Sequence, residues 1–130
     1  MKTVKESNIK DKVKKILNSY PLVTWYMPAA SVYGRRGVGD FVCCVNGRYL
    51  EIETKRPGGK QTPLQKVREQ DVEKSSGLYM LVSCDAALVV LKDLLEALLE
   101  ALLGRFYIRK EPEMHKIKID CKFEGEKIDE

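Results

Sequence analysis

A chain of 130 residues and 14.8 kDa can bury one core and is too short for two independent ones, so 1–130 reads as a single domain. Its 44% hydrophobic and 32% charged residues include no apolar run long enough to cross a bilayer and no signal-like leader, so a cytoplasmic protein without membrane contact is expected. The net charge of +4 hides an asymmetry: residues 1–70 carry 14 Lys/Arg against 6 Asp/Glu, and residues 71–130 carry 9 against 13. A basic half suits a polyanionic partner, although solvated lysines on a helix face explain such an excess more commonly.

Ile9, Val13, Ile16, Leu17 and Tyr20 recur at helical spacing behind Ser7, a residue able to cap, and Pro21 ends that helix. Lys10, Lys12, Lys14 and Lys15 fill its other faces. The β-branched and aromatic run Leu22 to Met27 reads as a strand closed by Pro28, and a glycine-rich loop with Arg35 and Arg36 follows over 29–39. Phe41 to Val45 is the next strand, and Asn46-Gly47 is a strong type I′ hairpin signal leading into Arg48 to Lys55. Thr62-Pro63 has the form of an N-cap with proline at the first helical position, so a helix is expected to about Ser76, closed by Gly77. Leu78 to Ser83 reads as a buried strand, and Asp85 caps a long helix that stops after Leu103 at Gly104. Phe106 to Ile108 and Ile117 to Phe123 are strand candidates in a C-terminal extension over 105–130, whose charged end is expected to fray. The order α-β-β-β-α-β-α predicts an α/β domain, a mixed sheet of about four strands flanked by helices, with its core over roughly 6–104. Cys43, Cys44, Cys84 and Cys121 form no CxxC pair and His115 is the lone histidine, which leaves no usual zinc or disulfide spacing.

In an extended strand side chains alternate, so Tyr49, Glu51, Glu53 and Lys55 share one face and Leu50, Ile52 and Thr54 the other. Asp40 stands six residues before Asn46 and Glu53 six residues after Gly47, which brings the two carboxylates near one another across the ladder. Such a pair is an electrostatic liability unless a cation joins it. Mg²⁺ is a hard ion held by one or two carboxylates with waters and phosphate oxygens, and it assists phosphodiester hydrolysis by neutralising charge and acidifying the attacking water. Asp40 and Glu53 are therefore the expected metal ligands, with the Thr54 backbone carbonyl a candidate third. Lys55 is placed to orient the water or stabilise the pentacovalent transition state. The plain alternative is an exposed salt bridge worth little, since an isolated E-x-K tripeptide is common by chance. What favours a site is the conjunction of Asp40 behind a basic glycine-rich loop, hairpin arms of matching length, and Lys55-Arg56-Pro57-Gly58-Gly59-Lys60 directly after the strand.

Gly37-Val38-Gly39-Asp40-Phe41, then Glu53 through Lys60, then Thr62-Pro63-Leu64-Gln65 resembles the VRR-NUC family of the PD-(D/E)xK nuclease superfamily, over roughly residues 6 to 95. The resemblance implies a restriction-endonuclease-like fold, Mg²⁺ or Mn²⁺ bound by Asp40 and Glu53, a catalytic Lys55, and Gln65 on the next helix completing the site. A glutamate that the family often carries near its metals maps onto Glu6, with a favourable acid at a helix N-terminus as the competing explanation. Gln65 has a rival role too, because Thr62-x-x-Gln65 is a capping-box pattern. Gly39 replaces the family's usual proline before the aspartate, a departure expected to spare ligand chemistry and to loosen the start of the strand. Glu51 shares the active face one step further from the strand end and reads as a solvated acid.

Arg35, Arg36, Arg56 and Lys60 flank the site on glycine-rich loops and suit DNA phosphate contacts, with surface solubility the alternative for each. Trp25, Tyr26 and Tyr33 can stack on bases but read as core. Leu91, Leu94, Leu95, Leu98, Leu99, Leu102 and Leu103 make a broad stripe that packs on a sheet, and its length leaves a distal part for a homodimer contact. The resemblance points the same way, since stand-alone VRR-NUC proteins of phages and bacteria are similar to Holliday-junction resolvases, which need two active sites. The expected function is a Mg²⁺- or Mn²⁺-dependent deoxyribonuclease, an endonuclease that recognises branched DNA, a Holliday junction or flap, by shape. Two readings of other classes stand beside it: a catalytically silent module that binds branched DNA, and a protein-interaction domain using the leucine helix over 88–103.

Overall fold

The computed structural model describes residues 5–29, 34 and 36–108, the last eight of them as backbone alone. Tyr33, Arg35 and the strand expected over 117–123 lie outside these residues. The elements follow in the expected order: α1 Glu6–Ser19, β1 Val23–Tyr26, β2 Phe41–Val45, β3 Arg48–Thr54, α2 Pro63–Lys74, β4 Leu78–Val82 and α3 Asp85–Ile108.

Asn46 and Gly47 adopt φ values of 47° and 95°, the left-handed pair that a type I′ turn needs, and the register follows from it: Phe41 lies opposite Ile52 and Val45 opposite Arg48. β1 joins the other side of β2 antiparallel, with Val23 opposite Val45. α2 then carries the chain over the sheet so that β4 runs parallel to β3, Thr54 beside Val82, which is the helical crossover that parallel pairing requires. The result is a mixed four-stranded sheet in the order β1-β2-β3-β4.

The two-residue period divides this sheet by chemistry. Phe41, Cys43, Val45, Leu50, Ile52 and Val82 are buried against Ile9, Val13 and Leu17 of α1 and Leu88, Leu91 and Leu95 of α3, forming one core. Trp25 belongs to it, its ring 5.5 Å from that of Phe41 and its indole N–H donating to Asn18 Oδ1 at 2.9 Å. Tyr26 points the other way and is 60% exposed, against the expectation that it is core. Glu51 and Glu53 lie on the opposite face from Leu50 and Ile52, and this is the side that α2 covers.

Element ends differ from the sequence reading in three places. α1 starts one residue before Ser7, with Lys5 as an N-cap that makes no side-chain hydrogen bond, so Glu6 rather than Ser7 meets the positive end of the helix. The turn after α2 is made by Ser76, whose φ is 64°; Gly77 is needed for space, since a Cβ there would stand 2.9 Å from Val72 Cγ1 and 3.0 Å from Tyr49 Cδ1. α3 passes through Gly104 to Ile108, so Phe106 to Ile108 is helix and not strand. One glycine inside a helix costs only about 1 kcal/mol relative to alanine, and no proline stands behind it until Pro112.

Candidate active site

Extending the β2–β3 register by one pair sets Asp40 opposite Glu53 at the end of the hairpin arms. Asp40 Oδ2 accepts from the Thr54 backbone N–H at 2.8 Å and from the Thr54 hydroxyl at 2.6 Å, which pins that oxygen to β3. Oδ1 faces Lys10 Nζ of α1 at 3.5 Å. Glu53 is only 4% exposed; its Oε1 accepts from Gln65 Nε2 of α2 at 2.8 Å and lies 3.8 Å from Lys55 Nζ. The strand ends thus supply two acids and a lysine, and the first turns of α1 and α2 close over them.

Burial and then the neighbouring Asp40 carboxylate push the Glu53 carboxyl up to about 7, against the opposing pull of Lys55. Glu6 adds to that push, which places it within electrostatic reach of the site, and its Oε1 lies 3.7 Å from Lys10 Nζ. Negative charge is therefore in excess at this point even with two lysines present. Among the described residues, however, no group of three or more His, Cys, Asp or Glu side chains converges as a cation cage. The donors that could hold a divalent ion are Asp40, Glu53 and the Thr54 carbonyl, which leaves an extended residue by the same strand edge as the N–H that reaches Asp40.

Gln65 makes the capping box and also reaches Glu53. Its Oε1 accepts from Thr62 N at 2.9 Å while Thr62 Oγ1 accepts from Gln65 N at 3.2 Å, a complete capping box, and its amide nitrogen is left to hold Glu53. One side chain fixes the helix start and the carboxylate together.

Glu51 is not a solvated acid. It is wholly buried, and its carboxylate accepts from Arg68 Nη2 at 2.8 Å, Tyr49 Oη at 2.6 Å and the Gly39 backbone N–H at 2.8 Å. Burial pushes this carboxyl up, but the hydrogen bonds from Arg68, Tyr49 and Gly39 outweigh it and hold its pKa below the ordinary range. The same contacts explain glycine at position 39. A Cβ there would stand 2.8 Å from Glu51 Cγ and 2.9 Å from the Ile52 carbonyl oxygen, and proline would lack the N–H that Glu51 accepts. Through this N–H the chain directly before Asp40 is tied to a buried anion.

Comparison with protein-family models, with curated proteins and with solved structures gives no match for this chain. The site therefore stands on its own geometry, which brings together Asp40, Glu53, Lys55, Gln65 and, through Lys10, Glu6. Arg36 borders a cleft beside Asp40, Arg56 and Lys60 are exposed on the loop after β3, and Arg35 lies outside the described residues. Sequence reasoning missed Lys10 and Arg68. Helix spacing puts Lys10 on the face of Glu6 and Arg68 on that of Gln65, but it is the packing of the helices on the sheet that brings them to Asp40 and Glu51.

Proposed function

We propose that this chain is a metal-dependent deoxyribonuclease of the VRR-NUC type, an endonuclease hydrolysing phosphodiester bonds in branched or flapped DNA. The observation that carries the reading is Asp40 paired across the ladder with a buried Glu53 whose ionisation it resists, with Lys55 at 3.8 Å. That donor set fits Mg²⁺ or Mn²⁺, which take one or two carboxylates and leave their remaining positions to water and phosphate, with no need of an all-protein cage. When bound, such an ion supplies charge neutralisation at the phosphoryl oxygens and a more acidic water.

The chain's own residues do the rest. Thr54 fixes one oxygen of Asp40, so the other, which faces Lys10, is the one that would take the ion; Gln65 orients Glu53. Lys55 brings a positive charge to where negative charge develops on the phosphoryl group. Arg36, Arg56 and Lys60 offer phosphate contacts that position a backbone without reading its sequence. The test is a panel of labelled duplex, flap and four-way-junction DNA with Mg²⁺, with Mn²⁺ and with chelator. Metal-dependent cleavage of the branched forms is expected, with Asp40→Asn and Lys55→Ala inactive. Wild-type turnover in either variant rejects the site, and DNA that shifts in a gel yet stays whole selects the silent binding module.

A further inference from the structure

Where the end of β1 meets the first turns of α1 and α2, an open cleft of about 480 Å³ borders Asp40. Its lining has two characters. Lys10 and Arg36 give it positive charge beside the acid, while Met27, Val38 and Leu64 give it apolar walls. Met27 is 38% and Leu64 50% exposed, so these side chains stand at the surface instead of filling the core. Their position is built in: a Cβ on Gly37 would come within 2.6 Å of the Leu64 carbonyl oxygen, so the loop and the start of α2 are already in contact and hold Leu64 at the rim.

A fully paired duplex offers such walls little to touch, because its bases are stacked inside and its backbone presents phosphate and sugar. An unpaired nucleotide exposes the face of its base together with its phosphate, which matches both halves of this lining. We propose that the cleft is a subsite for one unpaired nucleotide, its base against Met27 and Leu64 and its phosphate facing Arg36 and Lys10. Resting on the nuclease reading, this places the unpaired nucleotide next to the phosphate that is cut, since Asp40 forms one border of the same cleft.

Binding measured without metal tests the subsite apart from catalysis. Two fluorescein-labelled DNA hairpins, one flush-ended and one with a single unpaired thymidine at the end of the stem, are titrated with the full chain in chelator and followed by anisotropy. The wild type is expected to prefer the hairpin with the unpaired nucleotide by about fivefold or more, the order of magnitude that one base contact supplies. Leu64→Ser and Met27→Ser, both at exposed positions and each checked for an intact melt, are expected to bring the ratio to about one, and Leu64→Phe to keep it. A wild-type ratio of one, or a full preference in both serine variants, overturns the subsite. The two readings fail separately: DNA left whole under Mn²⁺ while the preference persists removes the nuclease and keeps the nucleotide site, whereas cleavage without preference removes the subsite alone.

Discussion

Arg68 of α2 grips Glu51 of β3 from two sides, Nη2 lying 2.8 Å from Oε1 and Nε 3.1 Å from each carboxylate oxygen. Through Glu51 the grip extends to Gly39, next in the chain to Asp40, and through α2 to Gln65, which holds Glu53. A buried ion pair on the same face as the acids thus ties together the two segments that carry them.

Removing Arg68 takes the countercharge from a buried carboxylate that keeps its hydrogen bonds from Tyr49 and Gly39, so Arg68→Ala is expected to destabilise the protein by about 3 kcal/mol near neutral pH. The pH dependence has a definite sign. In the wild type the depressed pKa of Glu51 contributes stability above the unfolded carboxylate range, and this is lost as pH falls through the folded value. In the variant one of the opposing pulls against burial is gone, so Glu51 takes up a proton more readily than in the wild type and the deficit shrinks on acidification. Denaturant melts of both proteins at about pH 7.5 and about pH 4.5 check this; an equal deficit at both refutes it.

Gly39→Ala forces a methyl into the 2.8 Å gap to Glu51 Cγ and is expected to cost about 1–3 kcal/mol by overpacking. Gly39→Pro costs more, because it also deletes the N–H that Glu51 accepts. Thermal denaturation ranks the two, and proline tolerated as well as alanine would contradict the role given to that hydrogen bond.

The fold was legible because its signals are local. Asn46-Gly47 fixed the hairpin register, and the register alone placed Asp40 opposite Glu53. Thr62 and Pro63 marked the start of α2 to the residue. What stayed hidden depends on contacts between elements: whether Glu51 is solvated is decided by Arg68, seventeen residues away, and no periodicity within β3 records it. Lys10 was hidden in the same way, as one lysine of four on α1 until the sheet end brought Asp40 to it. Gln65 shows a different limit. Capping and holding Glu53 are rival roles on the sequence alone, yet a side-chain amide has an acceptor and a donor end and uses one for each.

Glu53 gives the metal-free protein a pH dependence of the opposite sense to that of Glu51. With its folded pKa raised to about 7 from 4.5, the folded state binds a proton that the unfolded state has lost, so its contribution is full below the unfolded value and disappears as pH rises through about 7. In chelator, wild-type stability relative to Glu53→Gln is expected to fall between about pH 5 and about pH 8. Adding Mn²⁺ at the upper end is expected to raise the melting temperature of the wild type and not of the variant. A flat difference across the range would mean that burial and Asp40 do not burden the Glu53 carboxylate as the geometry implies.

The double use of Gln65 can be taken apart with its capping partner. Thr62→Ala removes the hydroxyl that receives the Gln65 N–H and leaves the amide free to hold Glu53, whereas Gln65→Ala removes both the box and the hold. Each is expected to destabilise α2 by about 1 kcal/mol, the usual worth of an N-cap, so melting temperatures should fall together. Metal affinity should separate them. Without Gln65 the Glu53 carboxylate loses the neutral donor that α2 supplies at 2.8 Å and is freer to turn, so Mn²⁺ binding, read by calorimetry, is expected to weaken in Gln65→Ala and to stay near wild type in Thr62→Ala. Equal losses in the two would mean that Gln65 serves the helix and not the acid.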